Sequence, residues 1–331
     1  MTSIKDVAKA AGVSITTVSF VLNDKGNIPQ KTRDHVLNVV KTLGYTRNTS
    51  ARTLRDKLSR TIGYAKPAAQ RPVHPIMDKF LSEVIVQAEQ RGWHVLIYAS
   101  PADDPLAVYQ EIISSQRVDG ILLASAEQDD PRVAFLHEHN FPFVTLGRSL
   151  SALDTCTTWV DVDSKAALTT VTEHLIKAGH TRIGVVAPAK GVVTDLRLAG
   201  YAACLDAHNL PLDDSLIIRQ GYGDSKDGYV AAQSLLRLER PPTAIISLSD
   251  LLAYGVLHYC NEKNTRVALT GFDDDLLADV LELTSVEQPI ERAAALLVEQ
   301  LMLQIQGDMT PVQHLLEAEL IVRSSSQIVL D

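Results

Sequence analysis

Residues 3–23 read SIKDVAKAAGVSITTVSFVLN, and this stretch decides what the amino-terminal part of the chain is. Ser3 followed by Asp6 has the form of a capping box, in which two side chains satisfy backbone N–H groups at the open end of a helix. Ile4, Val7, Ala8 and Ala11 then recur at helical spacing. Gly12 admits a left-handed turn, and Ser14 can cap a second helix beginning at Ile15. Two short helices about three residues apart make a helix-turn-helix. In the second, Val18, Val21 and Leu22 form the buried stripe, which leaves Thr16, Thr17 and Phe20 outward. A third helix is predicted to begin near Pro29, bury Val36, Val39, Val40 and Leu43, and stop at Gly44. Sixty residues built this way are marginal as a free-standing core, so the head is expected to gain order when bound.

Charge separates this head from the rest. Residues 1–60 hold eleven Lys and Arg against four Asp, a balance of +7, while the other 271 residues hold 20 basic against 36 acidic side chains, a balance of −16. A small basic head on a large acidic body points to a head that meets a polyanion and a body that does something else.

At this point the residues carry a family resemblance. Ile4-Lys5-Asp6-Val7-Ala8, Ala11-Gly12-Val13-Ser14, Thr17-Val18-Ser19, Val21-Leu22-Asn23, Thr32-Arg33 and Leu43-Gly44-Tyr45 closely resemble the head of the lactose-repressor family of bacterial transcription regulators. The match runs on through Asn48, Ala51-Arg52 and Leu54 to Ser59-Arg60-Thr61-Ile62-Gly63, and more loosely along the remaining chain. In a helix-turn-helix the second helix enters the major groove and presents its amino end to base edges. The resemblance implies that Ile15, Thr16 and Phe20 set specificity, with Ser14, Thr17, Asn23, Thr32 and Arg33 also on the DNA. Family members often carry Arg where this chain has Phe20. An Arg bonds guanine bidentately, whereas Phe20 offers only apolar contact, most readily to a thymine methyl, unless it packs on the head's own surface.

Residues 46–60 read as a linker that is helical only when supported, since Asn48 can cap 49–57 but the segment is too short for a stable isolated helix. The resemblance implies a hinge helix that folds on DNA beside its partner-chain copy in the minor groove, with Leu54 wedged between bases and Asn48, Ala51, Arg52 and Arg55 at the groove. A buried interdomain contact is the other reading of Leu54. Arg47 stands where relatives commonly have proline, which loosens the free hinge.

From Thr61 onward short β-rich runs alternate with helical stretches. Strands are predicted at 62–65, 94–99, 120–124 and 143–146, then at 182–187, 216–219, 244–248 and 267–271. Helices are predicted near 77–91, 105–116 and 131–139, then near 164–178, 195–208, 226–238 and 250–262. Two such series imply two similar parallel-sheet lobes with a ligand cleft between them. The predicted fold class is therefore α/β: a small all-α helix-turn-helix head (1–46), a hinge (47–60) and a two-lobed body (61–331) that resembles periplasmic sugar-binding proteins. Lobe 1 is expected at about 61–161 and 290–321 and lobe 2 at about 162–289 and 322–331, with crossings near 161, 289 and 321.

Asp163, Arg197, Asp250, Asp273 and Gln288 match family positions that touch or organise an effector, and Tyr222 matches an aromatic that stacks on a ring. Ser125 and Arg148 stand at ends of first-lobe strands. Carboxylates with an arginine suit vicinal hydroxyls, each fixing one hydrogen-bond direction, so a sugar is favoured over a nucleoside or purine. Alternatives remain for two of them: Asp250 can cap the helix that follows, and Arg197 can form a surface ion pair. The chain is shorter than its relatives between Asn261 and Phe272 and compact over Leu276–Leu283, on both sides of Asp273.

The rival class is an enzyme-like, sugar-binding α/β protein. Asp273-Asp274-Asp275 suggests a metal site, but neighbouring side chains diverge at a strand end and no His or Glu is spaced to complete one; GxSxG, P-loop and GxGxxG motifs are absent. Three scattered cysteines, Cys156, Cys204 and Cys260, make neither a disulfide framework nor a zinc site. No apolar run reaches the ~20 residues of a membrane span, and no signal core follows Met1. The expectation is a cytoplasmic, nucleoid-associated homodimer without cofactor or metal, holding palindromic double-stranded operator DNA and a small sugar effector.

Overall fold

The structure, a computed structural model, describes residues 2–22, 24–45, 58–67, 75–100 and 104–327. The chain divides between Leu58 and Ser59 into two compact units. The predicted DNA contacts Asn23, Asn48, Ala51, Arg52, Leu54 and Arg55 lie outside the described residues.

Local capping builds the head. In α1 (Ile4–Ala11) Ser3 N–H donates to the Asp6 carboxylate at 2.9 Å and Asp6 N–H donates back to Ser3 Oγ at 3.3 Å. Those bonds to Ser3 hold the Asp6 carboxyl below its ordinary range. Gly12, at φ 65°, turns the chain, and Ser14 Oγ accepts the Thr17 N–H at 3.0 Å to open α2 (Ile15–Leu22). Val7, Ala8, Ala11, Val18, Val21 and Val36 of α3 (Gln30–Thr42) close the core. Leu43, predicted inside, is exposed. Helical geometry ends at Thr42, the chain reverses at Gly44 (φ 58°), and Tyr45 packs on the core in its place, its N–H bonded to Val40 O at 3.0 Å.

In the body, one parallel sheet has the order β11-β5-β4-β3-β1-β2. Its strands are β1 (Thr61–Pro67), β2 (His94–Ser100), β3 (Gly120–Leu123), β4 (Phe143–Leu146), β5 (Trp159–Val162) and β11 (Gln313–Leu316). The Asp119 carboxylate accepts the N–H groups of Ser59 and Arg60 at 2.8 and 2.6 Å, which fixes where this unit begins. α4 (Pro75–Gln90) and α12 (Ile290–Ile305) cover one face, burying Phe80, Val84, Leu297 and Leu301 on Ile62, Leu122 and Val144. α5 (Ala107–Ser115) and α6 (Pro131–Glu138) cover the other through Tyr109, Ile112, Val133 and Leu136.

The second parallel sheet has the order β7-β6-β8-β9, from β6 (Ile183–Ala187), β7 (Ile217–Arg219), β8 (Ala244–Ser247) and β9 (Ala268–Thr270). α7 (Ser164–Lys177) and α8 (Val192–Ala207) pack on one face, α9 (Ser225–Leu235) and α10 (Asp250–Lys263) on the other. The short α11 (Leu276–Val280) follows β9, and β10 (Ser285–Glu287) pairs antiparallel with β12 (Glu319–Ile321) beside this lobe.

Among the described residues three segments link the lobes: β5 into α7 at Asp163, β10 into α12 at Pro289, and β11 into β12 at 317–318. The third crossing thus comes before 321, because β12 already pairs with β10 and Leu320 packs on the second-lobe core. Strands β5, β10, β11 and β12 were not predicted. Each is three or four residues long, and β10 and β11 take their partners from more than thirty residues away in sequence.

Candidate functional site

In the head, α2 leaves Ile15, Thr16 and Phe20 open to solvent, with Thr17 partly covered and its hydroxyl 2.9 Å from Ser14 Oγ. Phe20 is partly packed on the head's own surface and partly open. One part of its ring covers Gly26 in the turn before α3, where a Cβ would come within 2.8 Å of Phe20 Cδ2, yet the residue is 41% exposed. Arg33 is ion-paired with Asp24 across that turn, and Thr32 lies partly covered in the first turn of α3.

In the body, the carboxyl ends of both sheets face each other, as open α/β sheets require of a binding crevice. Between them lies a cavity of about 260 Å³. Ser125 and Arg148 come from the first lobe, and Arg197, Asp273 and Gln288 from the second and its links. Asp161, Ser164, Thr194 and Ser249 join them, and Met77, Leu146, Val192, Leu248 and Ile290 give aliphatic walls.

Arg148 donates through Nε to Asp161 Oδ2 at 2.7 Å and lies 5.4 Å from the Trp159 ring centre. Burial pushes the Asp161 carboxyl up even with Arg148 beside it. Arg197, buried in α8, donates to Leu248 O at 2.5 Å and lies 3.4 Å over the Phe272 ring. Its Nε has no partner among the described residues. Burial lowers its pKa to about 10, opposed by Asp273, Asp161 and Asp250, so it stays charged at neutral pH. Asp273 holds an unusual φ of 116° and accepts from Gln288 Nε2 at 2.7 Å, with burial raising its carboxyl to about 6. A non-glycine residue kept at such a φ stores backbone strain, a frequent feature of ligand sites. Ser125 is also left-handed (φ 54°), its carbonyl held by Arg132 at 3.0 Å.

Three predicted residues do not line the cavity. Asp163 is instead the cap of α7, accepting the Ala166 N–H at 2.9 Å. Tyr222, 64% exposed, sits in a loop whose N–H groups at Tyr222 and Gly223 both bond Asp227 at 2.9 Å, and it is Gly223 that reaches the cavity. Asp250 turns away from the ligand space onto Ser285 Oγ at 2.6 Å and the Asp275 N–H at 2.9 Å, and Ser249 rather than Asp250 caps α10. The run at 273–275 diverges as predicted: Asp274 pairs with Arg323 at 2.6 Å, and Asp275 caps α11 and takes the Tyr254 hydroxyl. Among the described residues no group of three His, Cys, Asp or Glu could hold a metal.

The cavity residues missed from sequence share one signal. Ser164, Thr194 and Ser249 each stand at the first turn or cap of a helix that follows a strand, where hydroxyls and free N–H groups meet the crevice. Asp161 was missed because β5 was.

Asp250 carries a pH dependence. Burial, with Asp273 adding to it, raises its carboxyl to about 7 from 3.8. Between those pH values the unfolded chain has lost the proton and the folded chain keeps it, so stability falls as pH rises from about 4 to about 7 and is flat above. Asn mimics the neutral acid, donating to Ser285 Oγ and accepting from Asp275 N–H. Asp250→Asn is therefore expected to match the wild type near pH 4 and to exceed it by a few kcal/mol at pH 8, read by thermal melting at both. Equal pH dependence in both proteins would refute this.

Comparison with known proteins places the chain. It is 32% identical over 336 residues, 98% of both chains, to the HTH-type transcriptional regulator CelR of Thermobifida fusca. The chain belongs to the lacI family of bacterial regulatory proteins. The family model itself matches residues 3–48, and a periplasmic binding protein-like domain matches 172–326. Among solved structures, a CelR–cellobiose complex aligns with TM-score 0.72 at 28% identity, over 98% of this chain and 100% of that one. The lac repressor dimer bound to operator and the anti-inducer ONPF aligns with TM-score 0.84 at 25% identity, over 99% of both. This lacI-family chain is thus a helix-turn-helix transcription regulator with a two-lobed α/β sensor body. Among its described residues no helix is long and apolar enough to cross a membrane.

Proposed function

We propose that this lacI-family chain is a homodimeric cytoplasmic repressor that leaves its operator when a neutral sugar enters the cleft. The observation that carries the sugar reading is the charge balance of the cavity: Arg148 and Arg197 against Asp161 and Asp273. Arg148 is already paired, and Arg197 keeps an unpartnered donor beside Asp273 and Gln288. An uncharged ligand with several hydroxyls uses such donors and acceptors without adding net charge, and the aliphatic walls suit the C–H faces of a sugar ring. The cellobiose complex of CelR supports the same class. Exposed Leu276, Leu277, Val280 and Leu281 on and beside α11 supply an apolar face for a second copy. Two heads then read a palindromic operator through α2. Binding rather than catalysis is the assigned role, so the sugar should be recovered unchanged after incubation.

The test is thermal melting of the full chain against mono- and disaccharides, sugar phosphates and nucleosides. A saturable rise with a neutral sugar is expected, worth about 2.7 kcal/mol at one hundred times its Kd. A rise confined to nucleosides or phosphates would overturn the reading.

A further inference from the structure

Helix α2 carries no charge along its whole length: Ile15, Thr16, Thr17, Val18, Ser19, Phe20, Val21 and Leu22. Val18 and Val21 are buried and Leu22 packs on the head's core. What α2 offers a partner is Ile15, 44% exposed, Phe20, 41% exposed, and hydroxyls. Two large hydrocarbons left in water, in a head whose core has six buried residues among those described, forgo burial that would otherwise stabilise it.

Phe20 is also held in place. Its ring lies over Gly26, which stands at φ 73°, and the Lys25 N–H bonds the Phe20 carbonyl at 2.9 Å. The ring is fixed on one side by the turn and open on the other. Ile15 lies five residues earlier, about 7.5 Å along the helix, so the two reach different base pairs.

Bidentate reading of guanine needs Arg or Lys, of adenine Asn or Gln, and cytosine is read by Asp or Glu; α2 has none of these. The base-edge feature that a hydrocarbon recognises is the C5 methyl of thymine. We infer that Ile15 and Phe20 each read a thymine methyl, so that placed T·A pairs rather than guanines specify the half-site under α2. This rests on α2 being the element that enters the major groove.

The test selects a duplex for the full-length chain from a random pool, then replaces each dT of its half-site singly by dU, which removes only the methyl. Binding is read by fluorescence anisotropy at one salt concentration. Two positions per half-site should each lose about three- to fivefold in affinity, the worth of one buried methyl, and the other thymines less than twofold. Ile15→Ala should abolish the dU penalty at one position and Phe20→Ala at the other, with Phe20→Leu keeping part of it. Uniform tolerance of dU, or penalties unchanged in the variants, would overturn the inference. The dU duplexes leave the protein intact, so the first result stands even if Phe20→Ala loosens the turn at Gly26. Failure to select any sequence would instead remove the groove-binding reading, and the inference with it.

Discussion

Gly255→Ala should destabilise the body by about 3 kcal/mol or more, with a drop in Tm on the order of 10 °C. Helices α9 and α10 touch backbone to backbone where Gly228 and Gly255 face each other. A Cβ on Gly255 would come to 2.0 Å from Ser225 O and 2.6 Å from Tyr229 N, and one on Gly228 to 2.1 Å from Leu252 O. These are main-chain atoms inside helices, so no rotamer change relieves the overlap and the helices must separate. Separation opens the cluster of Ala231, Ala232, Leu235, Leu252, Val256 and Tyr259 on the β8 face. Intrinsic propensity acts the other way, since Ala in a helix interior is favoured over Gly by about 1 kcal/mol. The sign of the result therefore discriminates. A more stable variant in thermal or urea unfolding would mean that the two helices are not in backbone contact.

The parts of this protein that were legible in sequence are those whose cause is local. Ser3, Asp6, Gly12 and Ser14 act within four residues of themselves, and each does in the structure what its spacing predicts. Leu43 failed because helical periodicity carries no information about the turn at Gly44 that brings Tyr45 inward. In the body, alternation revealed eight of the strands, but β10, β11 and β12 take partners distant in sequence and β5 is only four residues long, and these are the strands that join the lobes. For the cleft, a polar residue at the carboxyl end of a strand was a sound guide to Ser125, Arg148 and Asp273. It could not tell which way a side chain turns one or two residues later. Asp161 enters the cavity while Asp163 caps α7, and Ser249 lines the cavity while Asp250 folds back onto Ser285 and Asp275. The packing of Phe20 was not legible because it depends on a glycine six residues away.

Arg197→Met is expected to abolish the ligand-induced rise in melting temperature while leaving the ligand-free protein at least as stable as the wild type. The Arg197 guanidinium is buried, has no carboxylate within salt-bridge distance among the described residues, and keeps an unpartnered Nε. A cation held that way costs stability, as its lowered pKa reflects. Methionine has nearly the same length, packs well on an aromatic face such as Phe272, and removes the buried charge. It gives up the donor to the Leu248 carbonyl, at about 1 kcal/mol, and the attraction of Asp273, Asp161 and Asp250, which the larger relief of burying a cation offsets. With ligand present the balance reverses, because charge-assisted bonds from a fixed guanidinium to two hydroxyls are worth about 3 kcal/mol, on the order of a hundredfold in affinity. Arg197→Lys separates charge from geometry: it keeps the cation but loses the fork, and should recover only part of the response. Operator affinity without ligand should be unchanged in both variants. A full ligand response in Arg197→Met would place the sugar elsewhere, since among the described residues no other buried cationic side chain lines the cavity.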